Sequence, residues 1–233
     1  FADFISGVHL YGAIMTALYA RERTGRGQLV EVAMQEAVLP TLASNLGMLH
    51  SSGGRSAPRT GNRHGGLAVA PYNVYQCRDG HVALICQVED HWKGLVEAME
   101  RRDLADDPRF ATNAARVANM DDTDAIVGSW ARAYTRAELN EMAQRFHFLV
   151  GSVRDLPEVM YDAAMHERGM LETIDHPELG KVILPNSPLR FHGSARIASE
   201  PSERLGASND AVLGGMLGLN ERELEDLRRG GVI

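Results

Sequence analysis

Residues 3–38 read DFISGVHLYGAIMTALYARERTGRGQLVEVAMQEAV, and the parsing of this run decides the fold. Residues 4–23 form a helical pattern that is apolar nearly all round until the charged RER at 21–23. A helix of that kind is expected to be buried on most sides. Gly7, Gly12, Ala13, Ala17 and Ala20 give it a small-residue surface on which another backbone could pack closely. Gly25 is placed to cap it in the left-handed conformation. QLVEVAM, residues 28–34, then alternates, with Val30 and Val32 on one side, and reads as a strand. Residues 35–50 return to helix, which Pro40 should kink or restart.

Outward from this run the pattern changes. Residues 51–68, SSGGRSAPRTGNRHGGLA, have no period and are rich in Gly, Ser, Arg and Pro. Loops of this length are usually functional or disordered, and a domain boundary is expected inside it. A hairpin follows at 72–88, with Asp79-Gly80 as its two-residue turn. Helices are expected at 91–100, 121–132 and 136–146, with a helix–turn–helix connection through Asp107-Pro108. Two short helices broken at Gly169, a second hairpin turning at PELG (177–180) and an amphipathic helix ending at Gly230-Gly231 complete the chain. Strands alternate with helices first and segregate later, so the expected class is α/β followed by α+β.

The balance of charge narrows the partners. The formal net charge is −7, which argues against nucleic acid, because an acidic surface repels phosphate backbones. The apolar run at 4–20 falls short of the roughly 20 apolar residues a bilayer requires, and it carries Ser6, His9, Tyr11 and Thr16. No membrane association is expected. A turn at Asp79-Gly80 would set Cys77 opposite Val82 and Cys86 opposite Asn73, so the two thiols should not pair. Free thiols and no visible targeting segment suit a cytoplasmic location. The nine His residues show no metal-ligand spacing, and no metal is expected. His9 reads as a hydrogen-bonded core residue.

Asp3 stands just before the first apolar residues of the helix, where free backbone N–H groups and the helix dipole favour an anion. Its plain reading is an N-cap. Its chemical reading is a carboxylate that attacks an acyl group or moves a proton. His64, Gly65 and Gly66 lie in GNRHGG, which matches no phosphate-binding fingerprint. They read either as a flexible turn or as a loop that folds over a reactive intermediate and keeps water out.

The run at 3–38 resembles the class III CoA-transferase family, which includes formyl-CoA transferase, carnitine CoA-transferases and the related α-methylacyl-CoA racemases. The resemblance extends through GNRH (61–64), APYNVYQCRDGHVALI (70–85), LADDPRFATNAARVANMD (104–121), ERGML (167–171), HPELGKVILPNSPLR (176–190) and the C-terminal VLGGMLGLNERELEDLRRGGVI (212–233). It implies a Rossmann-like large domain with a smaller α+β domain. It places large-domain residues at 1–58, the small domain at 59–165 and a segment returning to the large domain at 166–233. Family members are about twice as long, so the chain is expected to be a C-terminal portion lacking an N-terminal CoA-binding half. The resemblance also implies an intertwined homodimer, acyl-CoA and carboxylic acid substrates, coenzyme A as substrate and no permanently bound cofactor. Asp3 falls on the family's nucleophile, Met34 on a CoA-contacting position, and Gly65 and Gly66 on the glycine loop beside His64. Formyl-CoA transferases carry a longer glycine run, which speaks against oxalate–formate exchange as the specific reaction. The implied activity is CoA transfer through an aspartyl anhydride and an aspartyl-CoA thioester. Racemisation with Asp3 as acid/base, or an inactive portion lacking the CoA site, are the alternatives.

Overall fold

The computed structural model describes residues 1–55, 59–196 and 198–233. The chain forms two compact units, Phe1–Val153 and Arg154–Ile233. Part of the loop expected to hold a domain boundary, residues 56–58, lies outside the described residues.

The first unit begins with helix α1, Ala2–Thr24. Gly25 ends it at φ +69, returning its N–H to the Arg21 carbonyl at 2.8 Å, as the sequence implies. The expected burial is not found: α1 has no buried residue, and Phe4 and Val8 are 81% and 71% exposed. Gly7 and Gly12 meet nothing within 4 Å, so no backbone uses the small-residue surface among the described residues. Helix α1 packs against α2, Met34–Val38, and a shallow groove between them is lined by Ile5, Val8, His9 and Ala37. His9 is therefore exposed at a groove rather than set in a core. Residues 26–33 carry no ladder hydrogen bonds, because no strand lies beside them among the described residues; the expected strand at 28–34 does not form. Pro40 restarts the helix: a 3-10 turn at Leu39–Leu42 separates α2 from α3, Ala43–Ser51.

The core of this unit lies around a three-stranded antiparallel sheet. Its strands are β1, Tyr72–Cys77, β2, Gly80–Ile85, and β3, Leu149–Ser152, with β2 in the middle. Cys77 pairs with Gly80 and Tyr75 with Val82, so the hairpin turn is Arg78-Asp79 rather than Asp79-Gly80. The one-residue change at the turn moves every partner by two, and the expected Cys77–Val82 and Cys86–Asn73 pairings fall away. The consequence drawn from them stands, since both thiols are free and buried.

Val82 and Leu84 alternate inward on β2 and share one buried cluster with Trp92, Leu95 and Val96 of α4, Glu89–Ala98. After α4 in the chain come α5, Asp103–Asp106, α6, Asn113–Ala118, α7, Met120–Ala131, and α8, Arg136–Phe146; α7 packs on β1 and α8 on β2 and β3. Helix α8 starts with a Thr135/Glu138 capping box, which satisfies the first free N–H groups. Trp92, Phe110, Val127 and Leu139 fill the space between the helices and the sheet.

The second unit holds α9, Leu156–Met160, α10, Ala163–Glu167, and the hairpin of β4, Leu171–His176, and β5, Gly180–Pro185. Gly169, at φ +66, separates α10 from β4 as expected. A π-helical segment, Asp210–Met216, precedes α11, Glu221–Arg229, which buries Leu224. No helix among the described residues is long and apolar enough to cross a membrane.

Candidate active site

Asp3 sits inside the first turn of α1. Phe1 is the N-cap residue, and no side chain caps the helix, so the N-cap reading of Asp3 is not what the structure adopts. The Asp3 side chain is exposed, and no hydrogen bond or ion pair engages it among the described residues. Met34 opens α2, the helix that packs on α1, and is 57% exposed.

The glycine loop is built from the other end of the same helical series. Asn45 on α3 donates from Nδ2 to the Gly65 carbonyl at 3.1 Å. A Cβ on Gly65 would stand 2.5 Å from that Nδ2, and one on Gly66 would stand 3.2 Å from Ser44 Cβ. Two side-chain-free residues are thus what lets the loop lie against α3. The His64 ring stacks on Tyr72, with centroids 4.8 Å apart and planes 3° from parallel. Its Nδ1 accepts the Gly66 N–H at 3.3 Å, and the His64 backbone N–H donates to the Tyr72 carbonyl at 3.4 Å. An Nδ1 that accepts leaves the ring proton on Nε2. Leu67 follows at φ +46, a left-handed conformation that costs a residue with a Cβ about 1–2 kcal/mol.

Arg63 extends the anchoring into the helical layer. Its Nε donates to Asp124 at 2.5 Å and its Nη2 to Asp121 at 2.7 Å, both on α7. Asp124 also accepts from the Tyr75 hydroxyl at 2.5 Å and from Asn73 at 3.0 Å. The Asp121 hydrogen bond is the main cause that raises the Arg63 guanidinium above its ordinary value, and burial with Asp124 alongside raises the Tyr75 phenol.

The structure therefore brings His64, Gly65 and Gly66 together on α3, and sets Asp3 and Met34 on the two packed helices α1 and α2. Among the described residues no hydrogen bond or ion pair joins these two groups. Sequence spacing does not single out Asn45, Arg63, Tyr72 or Asp124. Asp124 is 61 positions from Arg63, and no local spacing could have linked them. No cluster of three metal-ligating side chains occurs among the described residues.

A family model described as CoA-transferase family III matches residues 1–209. Formyl-CoA:oxalate CoA-transferase of Streptomyces avermitilis is 34% identical over 248 residues, covering 99% of this chain and 59% of that protein. Succinyl-CoA:mesaconate CoA-transferase of Haloarcula marismortui is 31% identical and covers 81% of this chain and 46% of that protein. The crystal structure of a CaiB/BaiF family protein from Brucella suis superposes with a TM-score of 0.74 at 28% identity, over 92% of this chain and 55% of that one. The chain thus spans about half the length of these relatives.

Proposed function

The chain belongs to CoA-transferase family III, and from that membership we propose that the protein containing it moves coenzyme A from an acyl-CoA to a carboxylic acid, with Asp3 as the nucleophile. The observation that most directly supports this is that Asp3, on a 23-residue helix, is exposed and has no hydrogen bond or ion pair among the described residues. A carboxylate held by no such partner can approach a thioester, and hydrogen-bond donors aimed at the reacting carbonyl would stabilise developing oxyanion charge.

The chemistry proceeds by double displacement. A carboxylate oxygen of Asp3 bonds to the acyl carbon, the C–S bond breaks, and CoA leaves as the thiolate. The thiolate attacks the aspartyl carbonyl of the mixed anhydride and releases the donor acid as its carboxylate. The acceptor carboxylate then attacks the aspartyl-CoA thioester, and the two steps reverse to give the new acyl-CoA and free Asp3. Met34 contacts CoA, and His64, Gly65 and Gly66 screen the anhydride from water. The relatives' names pair formyl-CoA with oxalate and succinyl-CoA with mesaconate, which supports small carboxylic acids as a class without choosing one.

In the whole protein the proposed arrangement is a large domain that includes residues 1–58, a small domain at 59–165 and a returning segment at 166–233, with an N-terminal half completing the CoA site in an intertwined, cytoplasmic homodimer. The exposed apolar side chains of α1 are consistent with cover from such a half or partner.

Hydroxylamine added to the full-length enzyme with a donor acyl-CoA should leave a hydroxamate on Asp3, read by peptide mass spectrometry. Asp3→Ala should lower transfer by about 10³-fold or more. Full transfer by that variant, or a hydroxamate elsewhere, removes the assignment.

A further inference from the structure

We propose that Arg63 and Asp124 act as a clamp that positions the Gly65–Gly66 loop, so that CoA thiolate attacks the aspartyl anhydride and the acceptor carboxylate attacks the aspartyl-CoA thioester, and water attacks neither; this rests on the transferase reading above.

Three observations converge on this pair. First, the contacts span the unit: Arg63 lies two residues before Gly65, and its two acceptors lie on α7, 58 and 61 positions away. Second, Asp124 is a hub and not a surface partner. Its side chain is 13% exposed and takes hydrogen bonds from Arg63, Asn73 and Tyr75, two of them strand residues of the core sheet. An ion pair buried to this extent and braced by neutral donors is costly to break from one side, unlike an exposed pair. Third, the loop needs holding. Leu67 is kept at positive φ, and the glycines make contact with α3 through the Asn45 Nδ2 hydrogen bond to the Gly65 carbonyl and a close approach. The hub thus fixes one end of the loop to the sheet and α7, while His64 on Tyr72 and Asn45 on Gly65 fix its middle.

The competing reaction is defined by its atoms. Water adding to the aspartyl anhydride gives the donor acid and Asp3, with CoA already free; water adding to the aspartyl-CoA thioester gives CoA thiol and Asp3, with the donor acid already released. A looser loop raises this hydrolysis against transfer. A purely structural role for the clamp would change stability but leave that ratio alone.

The test uses the full-length enzyme, three single variants and one double variant. Arg63→Gln removes the charge from the loop side, where the side chain is 28% exposed and folding is least at risk. Asp124→Asn removes it from the hub, and Arg63→Lys restores it. Hydrogen–deuterium exchange over residues 59–67 should quicken roughly tenfold in the first two variants. Their ratio of acyl-CoA hydrolysis to CoA transfer should rise by a similar factor, with partial recovery in Arg63→Lys. The double variant Arg63→Gln/Asp124→Asn should add little to either single change, since the two residues act as one unit. Unchanged exchange, faster exchange with an unchanged ratio, or fully additive effects each overturn the clamp. Exchange is read without turnover, so loss of the Asp3 assignment and loss of the clamp are separable results.

Discussion

Arg116 is completely buried on α6, and its guanidinium bonds two backbone carbonyls and the Glu89 carboxylate. Its Nε donates to the Ala70 carbonyl at 2.7 Å and its Nη1 to the Phe110 carbonyl at 2.9 Å, while the Trp92 ring lies 4.8 Å from its centre. Arg116→Met keeps the bulk and removes both donors. Two buried carbonyls without partners cost about 1–3 kcal/mol each, so the variant should lose about 3 kcal/mol or more, read as a lower urea midpoint at unchanged slope. Glu89 closes the same cluster, with Arg116 at 2.9 Å and the Asn113 N–H at 2.7 Å. Burial alone would raise its carboxyl, but the Asn113 N–H and Arg116 outweigh it and hold the group below the usual range. A folded-state value below the unfolded one means that Glu89 stabilises the fold above about pH 4.3 and loses that effect as pH falls through the folded value. Acid titration of stability should therefore be flatter in Glu89→Gln than in the parent between about pH 5 and pH 3; identical curves would show that the pair contributes nothing.

Between elements, α4 closely approaches the end of α8. A Cβ on Gly94 would stand 1.9 Å from the Phe146 carbonyl oxygen, which is backbone and cannot swing away. Gly94→Ala should force the helices apart and cost about 1–3 kcal/mol or more, seen as a fall in thermal midpoint with far-UV spectrum retained. The elements of this layer were legible from spacing, and the helix at 136–146 has the bounds its apolar period implies. So was the second hairpin, where a Pro-Glu-Leu-Gly turn sits between alternating runs. Residues 28–34 misled because alternation registers a strand's two faces but not a neighbour to pair with. Helix α1 misled in a related way: an all-apolar circumference specifies that something covers it, not that residues of this chain do. The site divides along the same line. The carboxylate, methionine, histidine and glycine pair stand out in local motifs, whereas Asp124, Asn45 and Tyr72 become partners of the loop only through the fold.

At the scale of the molecule, α1 is the exposed feature that most needs explaining, with Phe4, Val8, Tyr11, Met15 and Tyr19 all open to solvent. A polypeptide of these 233 residues alone should bind the dye ANS strongly and elute above its 25.5 kDa mass, while the full-length protein should do neither beyond its own assembly. Weak dye binding by the polypeptide alone would mean that α1 folds back against residues of its own chain. The cysteines carry a different lesson. Cys77 and Cys86 are both buried, and burial pushes the Cys86 thiol up to about 12. Neither stands opposite the other across the hairpin, since Cys77 meets Gly80 and Cys86 lies beyond the last paired residue of β2. Refolding from denaturant thus involves no oxidative shuffling, and a reductant in the storage buffer protects the unfolded chain while leaving the native one as it was.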